Sequence, residues 1–296
     1  LIDLLFFGNL KIIKGNFFHL KLDDMKRIIV ATDYAEEAEH ALKFIMEVFA
    51  GKEYELVLFS LQNPSIHAMN ARLSPDSMFK IVEQQSKILQ HKADAITTQS
   101  GVVAIPYLAA GLFYDQMTKC IEKTGADLLV MGMAKRSFDQ DMLGNTTTAA
   151  ISKLKIPILS VPLGAKFTGL QHILFACDVV RGVQKEILEK VKDFASDFGA
   201  VLEVLNIRKT VEQLNEEKGR ETREAINDVM GIVSYYYKNV TSNEVVKAIR
   251  DEVKESNTDL LVMIPYKYGF WSSLTHRSKT RMMASGLDIP LLTISI

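Results

Sequence analysis

Cysteine is nearly missing from this chain: Cys120 and Cys177 are the only two, far apart and outside any CxxC spacing. A disulfide scaffold and a cysteine zinc site are excluded, and a reducing compartment is implied. An excess of one charge is missing too. The 35 Lys and Arg against 36 Asp and Glu leave a net charge of −1. No whole-molecule field therefore points to nucleic acid or to an anionic membrane. No apolar run reaches the roughly 18 residues that cross a bilayer. The six histidines, at 19, 40, 67, 91, 172 and 276, show neither i,i+4 nor HxH spacing, so a metal centre is not expected. There is no P-loop, no GxGxxG turn after a strand and no GxSxG elbow. Without a convincing general base, metal carboxylate pair or P-loop lysine, the chain reads as non-enzymatic.

What is present is a rhythm. Apolar residues make up 48% of 296 positions, enough to fill two cores. "RIIVAT" (27–32) is compact and β-branched, and "EEAEHALKFIMEVF" (36–49) repeats apolar residues at helical spacing. "YELVLFSL" (54–61) reads as a strand, residues 75–97 as a long helix opened by Pro75 and Asp76, and "GVVAIPYLA" (101–109) as a third strand. A short helix ends at Gly125, "ADLLVMG" (126–132) is a fourth strand, "NTTTAAISKL" (145–154) a helix and "KIPILSVP" (155–162) a fifth strand. Strands alternating with helices predict right-handed βαβ units and a parallel sheet covered on both faces.

After a glycine-bearing linker at 163–170 the series restarts. "HILFACD" (172–178) parallels "RIIVATD" (27–33), "DLLVM" occurs at both 127–131 and 259–263, and "IPILSV" (156–161) answers "IPLLTI" (289–294). A repeat of about 130–145 residues is a duplicated domain, since solenoid units are far shorter. The predicted fold is α/β: two tandem open-sandwich domains, 25–163 and 170–296, each a five-stranded parallel sheet with helices on both faces. In "GIVSYYYKN" (231–239) the tyrosines alternate faces, so at least one is expected in the core. Residues 1–24 lack a basic start and a long apolar block, which argues against a signal peptide. Met25 immediately before "RIIVATD" is read as the natural start, with 1–24 outside the fold; an extra edge strand or short helix is the alternative.

"IIVATDYAEEAEHAL", "ADLLVMGM" and the loop–glycine–helix–"IPILSVP" ending resemble the universal stress protein family in its tandem two-domain form, across essentially all of 26–296. The resemblance implies a cytoplasmic stress-response protein that in many members binds ATP or AMP without an obvious catalytic centre; other members do not bind. It also implies that the two halves pair through their last strands, with a further homodimer left open. The family's nucleotide motif is Gly-x2-Gly-x9-Gly-[Ser/Thr], and this chain departs from it. Gly132 takes the first place, Lys135 stands where the second glycine belongs, and Gly144 comes one residue early, followed by Asn145 and Thr146. Glycines let backbone amides approach phosphate, and a helix N-terminus completes the anion site. Gly132 and Gly144 keep two such approaches, Asn145 can cap the helix, and Thr146 offers a hydroxyl. Lys135 either crowds the pocket or brings a cation to it. Asp33, ending the first strand, matches the family aspartate beside the adenosine, and is equally suited to cap the next helix. Thr32 and Met133 flank these positions and complete the candidate set.

The corresponding second-half loop is "IPYKYGFWSSLTHRSKTRMM" (264–283), where Ile264 and Pro265 replace the glycine. A phosphate cradle is not expected there, because Ile264 fills the approach and Pro265 has no amide hydrogen. Trp271 among Lys267, His276, Arg277, Lys279 and Arg281 reads either as a docking surface for a protein or small anion, or as a packed tryptophan beside a solvated basic face. Three functions follow: a non-enzymatic binding module holding at most one adenine nucleotide, a weak ATPase or nucleotide-dependent enzyme in the same pocket, or a ligand-free scaffold. Adenylation is disfavoured, because the loop after the first strand, "TDYAEEA", is acidic and lacks glycine.

Overall fold

The computed structural model describes residues 26–62, 74–133, 145–177, 185–208, 220, 224, 226–229, 234–242, 245–264 and 288–294. The first half contains β1 (Arg27–Ala31), α1 (Glu36–Val48), β2 (Glu55–Gln62), α2 (Pro75–Ser100), β3 (Val103–Ala110), α3 (Phe113–Thr124), β4 (Leu128–Met133), α4 (Asn145–Lys153) and β5 (Ile158–Pro162). The second contains β6 (His172–Cys177), α5 (Lys185–Phe198), β7 (Val201–Arg208), β8 (Tyr235–Thr241), α6 (Val245–Glu255), β9 (Leu260–Met263) and β10 (Leu291–Thr293). Element ends follow local chemistry. The Ser74 side chain accepts the Ser77 N–H at 3.3 Å to open α2 with Pro75 behind it, and left-handed Gly101 (φ 76°) closes it.

All strands lie in one sheet of order β3-β2-β1-β4-β5-β10-β9-β6-β7-β8. Within each half every pairing is parallel, and the halves join through an antiparallel β5–β10 pair. Successive strand residues face opposite sides, and the cores divide accordingly. Ile28, Val30, Leu56 and Leu58 pack with Ala41, Ile45 and Leu89 of α1 and α2. Ile29, Val57 and Phe59 pack on the other side with Met117 and Cys120 of α3 and Ile151 of α4. The first of these cores continues unbroken into the second half through Phe175, Leu188, Val191 and Val262.

The repeat is visible as repeated bonding. Asp127 Oδ2 accepts the N–H groups of Lys26 and Arg27, both at 3.0 Å. Asp259 Oδ2 accepts those of Gln171 and His172 at 2.7 and 2.9 Å. Each "DLLVM" aspartate thus pins the start of the strand beside it. Before each, a left-handed residue turns the chain out of a helix: Gly125 (φ 64°) and Asn257 (φ 49°), the two residue types that tolerate this conformation best. The β5–β10 register pairs Ile158 with Thr293, Leu159 with Leu292 and Ser160 with Leu291. Aligning "IPILSV" with "IPLLTI" exchanges the first and last of these pairs and keeps the middle one. A pseudo-two-fold axis therefore passes between Leu159 and Leu292, normal to the sheet. The carboxyl ends of the strands in the two halves point to opposite edges.

Two features differ from the sequence reading. The linker is packed: Ala165 and Leu170 are buried in the shared core, and Phe167 meets Phe44 edge-on at 5.9 Å. None of the three tyrosines is fully buried. β8 is an edge strand, so Tyr235 and Tyr237 only lean on the core and Tyr236 is 42% exposed.

Candidate functional site

In the first half the strand order reverses direction between β1 and β4, which opens a crevice beyond their carboxyl ends. Val30 pairs with Val130, so two residues further on Thr32 lies level with Gly132. The structure brings together Thr32, Asp33, Gly132 and the backbone of Met133 at this edge. Thr32 is buried, and its N–H donates to the Phe59 carbonyl at 2.8 Å. Its hydroxyl accepts the Tyr34 N–H at 3.1 Å, and Asp33 Oδ1 accepts the Ala35 N–H at 3.1 Å. These two side-chain turns hold Tyr34 in left-handed geometry, φ 67°, which a non-glycine residue adopts only when fixed locally. The Asp33 carboxylate is exposed and shapes the turn before α1; the N-cap position itself is Ala35, with no side-chain cap. The signal for this turn is the acid three residues ahead of the helix start in "TDYAEE".

Glu36, Glu37 and Glu39 occupy the first turn of α1. They suit the helix dipole and repel an incoming anion. An anion is therefore disfavoured beside this turn, which leaves the start of α4 as the other flank of the crevice. Burial pushes the Tyr34 phenol up from its ordinary pKa; the neighbouring Ser60 hydroxyl opposes this and the Glu39 carboxylate adds to it. Among the described residues no well-formed hydrogen bond reaches the phenol oxygen, and Glu39 Oε1 and His40 Nε2 are likewise buried without a partner. The other Glu39 oxygen pairs with Lys92 of α2.

The packing around Gly132 gives that glycine a second reason. A Cβ there would lie 2.2 Å from the Glu37 carbonyl oxygen, 2.4 Å from its carbon and 2.8 Å from the Ala38 nitrogen. The first turn of α1 rests directly on β4, and only glycine leaves room for it. Met133 faces the opposite side and belongs to the buried core that holds Leu291 and Met263 of the second half. Its side chain ties the halves together, and only its backbone borders the crevice. Asn145 and Thr146 open α4, with Thr146 exposed. Lys135 and Gly144 lie outside the described residues, as do Asp178 and the second-half loop from Pro265 to Met283. At the matching crevice of the second half, Cys177 stands in place of Thr32 and Ile264 in place of Gly132, 2% and 1% exposed. Among the described residues no group of three or more His, Cys, Asp or Glu can hold a metal, and no helix is long and apolar enough to cross a membrane.

Residues 25–162 match the model of the Universal stress protein family. Among solved structures, a universal stress protein from Archaeoglobus fulgidus is 15% identical over 94% of this chain and 98% of its own, with a TM-score of 0.69. A putative universal stress protein from Pseudomonas aeruginosa is 13% identical over 93% and 94%, with a TM-score of 0.58. A functionally unknown protein from the same species is 13% identical over 93% and 94%, with a TM-score of 0.59. At these identities the likeness is one of fold, and it extends across both halves. No curated protein matches the chain.

Proposed function

Residues 25–162 form a domain of the universal stress protein family, and from that premise we propose that the chain is a cytoplasmic, non-enzymatic stress-response module that binds one adenine nucleotide, ATP or AMP, in its first half. The observation that carries the reading is the contrast between the two crevices. In the first, Thr32 just past the end of β1 lies level with Gly132 of the neighbouring β4, Asp33 follows it, and α4 starts beyond β4. In the second, the place of Gly132 is filled by the buried Ile264 side chain. Asp33 supports adenosine contact because its carboxylate is exposed while its turn is already formed locally. The acidic first turn of α1 leaves the phosphate to the β4–α4 side, where Gly144, Asn145, Thr146 and Lys135 follow in sequence.

Two measurements test this. Denaturing the purified chain and separating the supernatant by ion exchange should release an adenine nucleotide or show an empty site that calorimetry then fills. Titration with ATP or AMP in moderate salt should give one site per chain. Asp33→Asn keeps the oxygen that accepts the Ala35 N–H, so it should weaken binding at unchanged thermal stability. Two equivalent salt-resistant sites, or no binding of either nucleotide, would refute the proposal.

A further inference from the structure

The duplicated fold supplies an internal reference, and one buried cluster departs from it. Leu56 sits opposite Ile28 in one half and Leu202 opposite Ile173 in the other, so Glu203 of β7 occupies the place of Val57. Counting back from the two "DLLVM" segments, Glu252 of α6 occupies the place of Cys120. Val57 and Cys120 are completely buried; Glu203 and Glu252 are 3% and 4% exposed. An apolar contact in the first half is thus a pair of carboxyl groups in the second.

The partners of this pair do not balance its charge. Lys238 Nζ lies 2.7 Å from Glu252 Oε1 and 2.6 Å from Glu252 Oε2, with the exposed Glu255 at 3.1 Å. The Tyr236 hydroxyl donates to Glu203 Oε2 at 2.8 Å. Among the described residues Glu203 Oε1 is buried without a partner, and Glu252, which by its place in the repeat faces it from α6, acts on it electrostatically. Among the described residues the one ammonium here is bonded to Glu252 and Glu255, so an ionised Glu203 would be left uncompensated where desolvation is most costly. One proton on Glu203 Oε1, donated to Glu252, removes that charge and satisfies the orphaned oxygen together.

We propose that Glu203 and Glu252 bind one proton between them at neutral pH, making the α6–β7–β8 corner of the second half a proton-binding site that loosens on alkalisation. Among the described residues the groups acting on Glu203 are Tyr236 from β8, Glu252 from α6 and Ser256 just after it, with Lys238 of β8 reaching it through Glu252. From β6 the residues on the same face are His172, Leu174, which pairs with Glu203, and Ala176; of these only His172 is titratable. Burial raises the Glu203 carboxyl first and the facing Glu252 adds to it, against the Tyr236 and Ser256 hydroxyls. The Tyr236 phenol is itself pushed up to about 12, by burial and then by its bond to Glu203. Because Glu203 is raised above the ordinary 4.5, its stabilising contribution is complete below that value. It is lost as pH climbs through the raised one.

Infrared spectroscopy of the full chain tests the site directly. A buried carboxylic-acid carbonyl band should be present at neutral pH, vanish in alkali, and be missing at neutral pH in Glu203→Gln. That variant carries a permanent N–H donor toward Glu252. Between about pH 6 and about pH 9 its urea midpoint should fall less than that of the wild-type chain. Glu203→Val, the residue of the first half, is the second variant and should flatten the same slope. Absence of the neutral-pH band overturns the proposal, as does a band that survives in Glu203→Gln or a wild-type slope matched by both variants. If neither variant folds, the wild-type band and its loss in alkali decide the matter.

Discussion

Replacing Gly132 by Ala separates packing from ligand contact at one position. The added Cβ would start 2.2 Å from the Glu37 carbonyl oxygen, about 1.2 Å short of an ordinary 3.4 Å contact. The obstacle is helix backbone, so no side chain can swing aside; the first turn of α1 has to lift off β4. That movement disturbs Ala38, Ala41 and Ile45, all buried beneath α1. Overpacking of this kind costs about 1–3 kcal/mol. For a chain of this size the loss corresponds to a fall in Tm of roughly 2–5 °C. The assay is thermal unfolding of Gly132→Ala followed by circular dichroism, with nucleotide titration on the same preparation well below the transition. The expected result is a lower Tm together with weaker binding, because the crevice widens where α1 moves. A variant that melts like the parent would refute the packing argument. If it also lost nucleotide, the glycine would serve ligand approach alone. The reciprocal control is Ile264→Ala, which empties a fully buried site in the second half and should cost about 2–5 kcal/mol without altering nucleotide affinity.

Other expectations are simpler. Burial pushes the Cys120 thiol up to about 12, so maleimide should leave it unlabelled in the native chain near neutral pH and label it in urea; equal labelling in both would contradict its burial. With the folded value above the ordinary 9.0, its contribution to stability is complete below pH 9.0 and is lost as pH rises toward the folded value. Ser160 and Thr293 are equivalent hydroxyls across the pseudo-two-fold axis, yet among the described residues only Thr293 is bonded, donating to the Ile158 carbonyl at 3.3 Å. Ser160→Ala should therefore be neutral or stabilising by up to about 1 kcal/mol, and Thr293→Val destabilising by about 0.5–1.5 kcal/mol, in denaturant melts. A reversed order would show that Ser160 has a partner.

Two kinds of information separate at this point. The sequence alone established the duplication, the strand–helix alternation and the parallel sheets, because each is written in local periodicity and in identical segments such as "DLLVM". It also placed Thr32, Asp33 and Gly132 at strand ends, where an α/β sheet puts its crevice. It could not say that Gly132 is required by α1 lying on β4, since that contact joins residues far apart in the chain. Nor could it assign Met133 to a core shared with the second half, or show that the linker glycines border a packed Phe167. Tyr235 to Tyr237 looked like core because alternation reports two faces and not whether a strand lies at the sheet edge. Glu203 and Glu252 look like ordinary surface acids in "VLEVLNI" and "AIRDEVKE". Only the fold, which lays α6 across β7 and β8 and, among the described residues, sets two buried carboxyl groups beside one lysine that is bonded to Glu252, makes them a site. Local pattern fixes which face of an element is apolar; which charges meet on that face is decided by how distant elements pack.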